Sequence, residues 1–325
     1  FYNGSQMFFG KNRVQYEDRF WSYFRYPVFN VYYTLNGKNL AIFTARYAQE
    51  QIPLLEKKLD YSLNNNIQFI VFNNLSDLKQ SNIGLISQEQ YNIGGITHIV
   101  GTKIFLYYNG DHRDFERQIR AGITQILLEE MLYGQSITSM IKNTTLLALP
   151  EWYIQGLVSY ISDEYNEEVE NNVLDGILSG RYEKFNNLTG QDAVYAGHSI
   201  WNYIAYKYGE NKLSDIIYMT KISRSVESGF LFVLGISFKS LLNDWINHYD
   251  KLYYDDNRER TMPDVQPVAK RTKKVQVYSN VKLSNDGNYA AWTTNDIGRY
   301  KVWIYDINKN KTRPILRYGY RLDDK

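Results

Sequence analysis

The four histidines of this 325-residue chain are the first residues whose type and spacing could suggest metal chemistry. They are His98, His112, His198 and His248, and no two of them lie three or four positions apart. A helix that holds zinc from one face needs two histidines one turn apart. The chain also lacks cysteine, so a zinc site would need distant histidines and carboxylates to converge. We therefore predict a protein without a metal or other cofactor.

Two further side chains could take part in acid–base chemistry. Glu129 and Glu130 are adjacent, but neighbouring positions of a helix do not share a face. His198 is a lone histidine, and such a residue is more often a satisfied core group than a ligand; both interpretations stay open. Without a metal, nothing here supplies the charge that lowers the pKa of water toward neutrality.

The elements that would position these residues begin with a strand-rich section, residues 1–110. Alternating or continuous apolar stretches predict strands at 29–33, 67–72 and 103–108. Apolar residues near helical spacing predict one helix between 40 and 55. The first section therefore reads as strands that alternate with a helix.

A helical section follows at residues 111–254, with an apolar stripe from Phe115 to Met131 and a helix start at Pro150. Further helices are predicted up to Gly209 and over 230–245. Residues 255–272 are polar with two prolines, which is typical of a linker. From 273 to 325 the apolar period becomes two, and Asn-Asp-Gly and Asn-Lys-Asn-Lys turns predict hairpins.

Three segments of the helical section resemble the gluzincin peptidases, in particular the peptidase MA-like domains. The most specific is Leu149-Pro150-Glu151-Trp152-Tyr153-Ile154-Gln155-Gly156-Leu157-Val158-Ser159-Tyr160, which is similar to the family's Pro-x-Trp helix with its Glu-Gly pair. The others are 195–209 and 226–245. The resemblance covers roughly residues 25–252. It implies an α+β, thermolysin-like or gluzincin-like domain: a mixed sheet followed by a helical half.

The resemblance also implies where catalytic residues would stand. Active relatives carry His-Glu-x-x-His on a helix, and a later Glu completes the zinc site. The matching positions here are Ala121, Gly122, Gln125 and Gln155. No ligand and no general base is left at them. The implied protein is therefore a non-catalytic pseudo-peptidase, in which Trp152, Leu157 and Tyr160 serve packing.

The final section resembles a blade of the TolB-like, WD40-like β-propellers. Residues 281–292 contain a Ser-x-Asp-Gly turn before an aromatic strand, and 299–306 read as the next strand. A generic β-meander is the alternative. Propellers close with about 4–8 blades, whereas 273–325 holds only one. We therefore expect the propeller to continue beyond the given chain; the alternative is that the blade packs on the helical section or on a partner.

These expectations lead to a binding or scaffold subunit of a bacterial envelope assembly, secreted to the periplasm or outer membrane, with other envelope proteins as partners. The 37 basic and 35 acidic residues are mixed along the chain, so nucleic acid is excluded as a partner. No apolar stretch approaches membrane-spanning length. One alternative is a peptide- or glycan-binding protein whose old cleft is lined by Tyr153, Tyr195, His198 and Trp201. Another is an active hydrolase with a rearranged site.

Overall fold

The structure is a computed structural model that describes residues 19–81, 98–134, 147–163, 165–257, 276–296 and 298–319. The chain divides into two compact units, Phe1–Arg258 and Glu259–Lys325. The first unit combines a sheet with helices, and the described part of the second is a separate sheet. The predicted α+β class is thereby confirmed.

The sheet of the first unit has five strands in the order β1-β2-β3-β5-β4. The strands are β1 (Trp21–Arg25), β2 (Phe29–Thr34), β3 (Ile67–Phe72), β4 (His98–Val100) and β5 (Lys103–Tyr107). The three central strands are parallel, and the two edge strands β1 and β4 run antiparallel to their neighbours. The sheet is therefore mixed, and the three strands predicted from the sequence are its centre.

The two faces of this sheet are covered unequally. Side chains alternate along each strand, and one set, including Val31, Phe69 and Leu106, lies in the main core with helices α1 (Lys38–Leu59) and α3 (His112–Tyr133). The opposite face carries a small cluster beneath the short helix α2 (Leu75–Lys79). The inner face is thus sealed, whereas the outer face keeps exposed aromatic residues near β1.

Six further α-helices follow α3 among the described residues. They are α4 (Glu151–Ser162), α5 (Glu167–Leu178), α6 (Gly190–Tyr208), α7 (Lys212–Ser223), α8 (Val226–Leu234) and α9 (Phe238–Asn257). Trp152, Trp201 and Trp245 are fully buried among them. Among the described residues, no single helix has both the length and the apolar character to cross a membrane. Helices α8 and α9 satisfy both criteria only as a pair, and a bend of 74° separates them.

The second unit is an antiparallel sheet in the order β6-β7-β8-β9. Its strands are β6 (Gln276–Leu283), β7 (Tyr289–Asp296), β8 (Arg299–Asp306) and β9 (Lys311–Tyr318). In the β6–β7 turn, Ser284 Oγ donates to Asp286 at 2.5 Å, and Asp286 accepts from the Asn288 amide at 3.1 Å. These hydrogen bonds lower the pKa of Asp286 to about 2. The predicted Asn-Asp-Gly turn therefore joins two strands.

The predicted linker, residues 255–272, overlaps the end of α9, which continues to Asn257. Its remaining residues lie outside the described part of the chain.

Candidate functional site

Helix α3 carries three of the four positions at which the resemblance places catalytic groups, and a glutamine fixes this helix to the sheet. The Asp111 side chain caps its first turn by accepting from the Arg113 amide at 2.8 Å. Farther along, Gln118 Oε1 accepts from the Tyr107 amide at 3.1 Å, and Gln118 Nε2 donates to the Tyr107 carbonyl at 3.0 Å. The Gln118 side chain therefore hydrogen-bonds both backbone groups of Tyr107, as a neighbouring strand would. These two hydrogen bonds fix the position of α3 against β5.

Gly122, the position implied for the general base, lies against Ile104 of β5. A Cβ atom at position 122 would lie 2.5 Å from Ile104 Cγ2 and 2.9 Å from Ile104 Cδ1. Cβ atoms do not approach other carbon atoms this closely without displacement. Ala121, beside it, is fully buried. A side chain at position 122 therefore requires Ile104 to move.

Gln125, the second implied ligand position, is engaged in a hydrogen bond along α3. Its Nε2 donates to Glu129 Oε1 at 3.0 Å. Burial raises the pKa of the Glu129 carboxyl, and the hydrogen bond from Gln125 partly opposes that rise. Burial, followed by the nearby Glu129 charge, raises the pKa of Tyr133 one turn farther on. Gln125, Glu129 and Tyr133 are thus a short polar row on one face of α3.

Gln155, the third implied ligand position, lies half-buried on α4, which packs against α3. Its neighbour Gly156 stands where α4 and α6 cross. A Cβ at 156 would lie 2.3 Å from Gly197 Cα, and one at 197 would lie 2.2 Å from the Trp152 carbonyl oxygen. The glycine of the Gln-Gly pair therefore has a packing reason: two helix backbones touch there.

The structure brings the four implied positions onto two neighbouring helices, but none of them offers an imidazole or a carboxylate. Within residues 19–319, in the parts that the structure describes, no group of three or more His, Cys, Asp or Glu residues could hold a metal ion. Of the four histidines, His112 lies at the start of α3, His198 in α6 and His248 in α9, and His98 is in β4. The four histidines thus stand on four different elements.

Tyr153 and Trp201, two of the residues expected along a cleft, are fully buried in the helical core. Trp201 Nε1 donates to the Tyr153 carbonyl at 3.0 Å, and the Tyr153 hydroxyl donates to Thr220 Oγ1 at 3.0 Å. Burial raises the pKa of Tyr153 far above its ordinary value. Because both polar groups find partners inside the core, these rings are packing residues and do not line an open cleft.

His198, also expected along the cleft, is likewise fully buried. Its Nδ1 lies 2.9 Å from Ser159 Oγ, whereas its Nε2 has no hydrogen-bond partner in the part of the chain that the structure describes. The rings of Tyr160 and Tyr165 meet it edge-on, each at 5.8 Å. Burial, followed by the Arg117 charge, lowers the pKa of His198 to about 4. The imidazole is therefore a neutral core group at physiological pH.

Tyr195 is the one member of the expected cleft set that is not fully buried. It is half-buried on α6, and its hydroxyl donates to Glu168 Oε1 at 2.5 Å. Burial, followed by the hydrogen bond to Glu168 and the charge of that carboxylate, raises the pKa of Tyr195 to about 12. Three of the four residues therefore belong to the core, and the set does not form a shared surface.

Two arginines of α3 were not singled out from the sequence, although they organise this region. Arg117 Nη2 lies 3.1 Å from an Asp163 carboxylate oxygen, and Arg120 Nη2 donates to the Ile161 carbonyl at 2.6 Å. Both contacts lie at the C-terminal end of α4, where backbone carbonyls lack helical partners. A positive charge is favourable there. The sequence does show two arginines three positions apart on a predicted helix. It does not show that they contact the end of α4, because that contact depends on the tertiary fold.

No family model matches this chain, and no curated protein matches it in sequence. The likeness to gluzincins and to propeller blades therefore remains a prediction carried by the segments quoted above.

Proposed function

We propose that this chain is a pseudo-metallopeptidase that works as a binding or scaffold subunit and cleaves no substrate. The observation that carries the proposal is the contact between Gly122 and Ile104. A general base at position 122 would need a side chain, and its first carbon would already lie 2.5 Å from Ile104 Cγ2. Hydrolysis by the gluzincin mechanism needs that base beside a metal-bound water.

The arrangement of the first unit supports the gluzincin-like part of this proposal. A mixed sheet with an antiparallel edge strand, β4, is followed by the long helix α3, and α4 packs against α3. The implied ligand positions fall on α3 and α4, as the resemblance requires. Gln125 is bonded to Glu129 at 3.0 Å and would have to release that contact to face a metal.

The second unit supports the propeller part. Four antiparallel strands in chain order are the composition of one propeller blade. Large apolar residues on it are exposed, including Val281, Leu283 and Ile315. A single sheet with open faces is marginally stable in water. We infer that neighbouring blades, or a partner protein, cover these faces.

The envelope location and partners follow from the combination of the two proposed parts. A pseudo-peptidase domain joined to a TolB-like blade resembles components of bacterial cell envelopes. We propose a periplasmic or outer-membrane-associated scaffold whose partners are other envelope proteins. This step is an analogy of architecture and has no single residue behind it.

The test is zinc loading with a peptidase assay. The purified chain is equilibrated with zinc, freed of excess metal, and analysed by mass spectrometry for bound metal and for cleavage of a mixed peptide library. We expect substoichiometric zinc and no cleavage. Stoichiometric zinc together with cleavage would contradict the proposal and favour a hydrolase with a rearranged site.

A matched pair of variants tests the assignment of the ligand positions. The triple variant Ala121→His, Gln125→His, Gln155→Glu restores the ligand types while leaving Gly122 unchanged. The control Arg120→His, Thr124→His, Gln155→Glu makes the same types of change one residue earlier on α3. We expect the first variant to gain zinc and the control to gain none, with circular dichroism reporting folding in both. A folded first variant without zinc would contradict the assignment.

A further inference from the structure

Strand β1 is an edge strand of the sheet, and no described segment of the chain covers its free side. Within the described residues it bonds only to β2, in an unbroken register from Trp21↔Thr34 to Arg25↔Asn30. Proteins usually guard such edges with lysine, proline, a bulge or a covering segment, because the free backbone groups can pair with another strand. The sequence Trp-Ser-Tyr-Phe-Arg contains no lysine or proline, and its pairing with β2 shows no bulge.

Two hydrogen bonds fix which backbone groups of β1 point outward. The Tyr26 amide donates to the Phe29 carbonyl at 2.9 Å, so Tyr26 and Phe29 are a hydrogen-bonded pair. The Ile67 amide donates to the Val28 carbonyl at 3.1 Å, which directs the alternate residues of β2 toward β3. Hydrogen-bonded and non-bonded pairs alternate along an antiparallel ladder. The outward N–H and C=O groups of β1 are therefore those of Trp21, Tyr23 and Arg25.

The side chains of these three residues lie together on the outer face of the sheet. Tyr23 stacks on Tyr32 with ring centres 5.3 Å apart, and Trp21 meets Phe72 edge-on at 5.5 Å. Tyr23 is 57% exposed and Trp21 is 42% exposed. Arg25 is exposed as well, and it has no ion-pair partner in the described part of the chain. An exposed aromatic–aromatic–cation row thus borders the free edge.

We propose that β1 pairs antiparallel with β1 of a second copy of this chain, about a two-fold axis at Tyr23. Tyr23 then faces Tyr23 of the second copy, and Trp21 faces Arg25 of the second copy on each side of the axis. The outward backbone groups of three residues on each strand form about six hydrogen bonds. The side chains add one aromatic pair and two cation–π contacts.

The row favours a second copy over an unrelated extended peptide because it is complementary to itself. A two-fold axis makes one surface meet an identical one. When Trp-Ser-Tyr-Phe-Arg is read in reverse against itself, its only cation comes opposite its tryptophan. An arbitrary peptide would satisfy the backbone groups alone. Residues 1–18 lie close before β1 in the chain and are the competing occupant of this edge.

The first experiment is sedimentation of the full chain over a concentration series. We expect a reversible dimer whose dissociation constant rises about 100-fold in Tyr23→Lys, because two ammonium groups would then meet at the axis. Tyr206→Lys is the matched control, since Tyr206 is 79% exposed on α6, and it should dimerise as the unaltered chain does. Thermal melts of both variants check folding. A monomer at every concentration, or a dimer unaffected by Tyr23→Lys, would overturn the proposal.

The second experiment uses the absence of cysteine from the chain, so that Tyr23→Cys carries a single thiol. Residues of a hydrogen-bonded pair have Cα atoms about 5.5 Å apart, which a disulfide spans. Mild oxidation should therefore link two Tyr23→Cys chains much faster than two Tyr206→Cys chains, as followed on non-reducing gels. Equal rates would overturn the proposal, and an unreactive thiol at 23 would indicate that residues 1–18 occupy the edge instead.

Discussion

The two units use the same kinds of side chain in opposite ways. In the first, Trp152, Trp201 and Trp245 are fully buried, and their indole nitrogens each donate to a protein oxygen. In the second, the buried indole nitrogen of Trp292 has no hydrogen-bond partner among the described residues, and Val281 and Ile315 are more than half exposed. Aromatic and apolar composition therefore does not decide whether a segment completes its own core.

The difference has a geometric origin. Helices α4 and α6 cross with backbones in contact at Gly156 and Gly197, and further helices pack their apolar residues into one cluster. In the described residues of the second unit, a single four-stranded sheet, the buried side chains are Ala290, Trp292 and Thr294 of β7. The first unit therefore buries its large apolar residues in one core, whereas the second exposes several of them.

The largest effect on the stability of the first unit is expected from the removal of Trp152, the central tryptophan. Trp152 stacks on Phe238 with ring centres 5.2 Å apart, and Trp152 Nε1 donates to Asn186 Oδ1 at 3.0 Å. We expect Trp152→Ala to lower the free energy of unfolding of the first unit by about 4 kcal/mol. Urea denaturation followed by helical circular dichroism measures it. Trp292→Ala is the control and should leave this transition unchanged; a helical transition insensitive to Trp152→Ala would refute the sealed core.

The next largest effect on stability is expected from a substitution at the crossing of α4 and α6. In Gly197→Ala the new methyl group would lie 2.2 Å from the Trp152 carbonyl oxygen, a backbone atom that cannot rotate away. We expect a loss of about 3 kcal/mol in unfolding free energy. Gly122→Ala is the matched comparison, because its methyl group meets the movable Ile104 side chain and should cost about 1 kcal/mol. Equal losses in denaturant titrations would show that the backbone contact is not limiting.

Acid should weaken the first unit through His198. Its pKa is about 4 when folded, and the unfolded value is about 6.5. The unfolded chain therefore takes up the proton first. The contribution of neutral His198 to the free energy of unfolding is complete above pH 6.5 and declines as the pH falls toward 4. The loss is about 2 kcal/mol at pH 5.

The comparison for this pH effect is His198→Phe, which retains Glu129. Burial raises the pKa of Glu129, so its contribution to the free energy of unfolding grows as the pH falls, opposite to that of His198. This contribution is present both in the unaltered chain and in the variant. We expect the free energy of unfolding to fall less between pH 7 and pH 5 in the variant than in the unaltered chain. Parallel pH profiles would exclude His198 as the cause.

The smallest effects are expected on the open sheet. Val281→Lys and Ile315→Lys replace residues that are more than half exposed, and each should change the stability of the second unit by less than about 0.5 kcal/mol. Calorimetry of the isolated chain measures this. A loss well above that value would mean that the faces are already covered, and the contrast between the units would then disappear.

Part of this fold could be predicted because periodicity reflects burial. The regular apolar spacing of β2, β3, β5, α1 and α3 produced predictions that the structure confirms. Strand β1 escaped prediction because Trp, Tyr and Phe occupy both of its faces, which removes the period-two contrast. Strand β4 and helix α2 are only three and five residues long, too short for a periodic signal.

The candidate site was predictable only as far as residue types allow. The sequence shows that positions 121, 122, 125 and 155 lack ligands, but the blocking contact joins Gly122 to Ile104, eighteen residues earlier on a strand. The burial of Tyr153, His198 and Trp201 depends likewise on the crossing of α4 and α6. Tertiary contacts of this kind leave no mark in local spacing.

The contact of Gly122 with Ile104 also limits which residues position 122 can accept. A mutation that placed an acidic side chain there would put its Cβ 2.5 Å from Ile104 Cγ2. Ile104 would have to shift or become smaller to make room, and a smaller residue at 104 would leave a cavity in a fully buried layer. An acidic group at 122 therefore requires a second adjustment around Ile104.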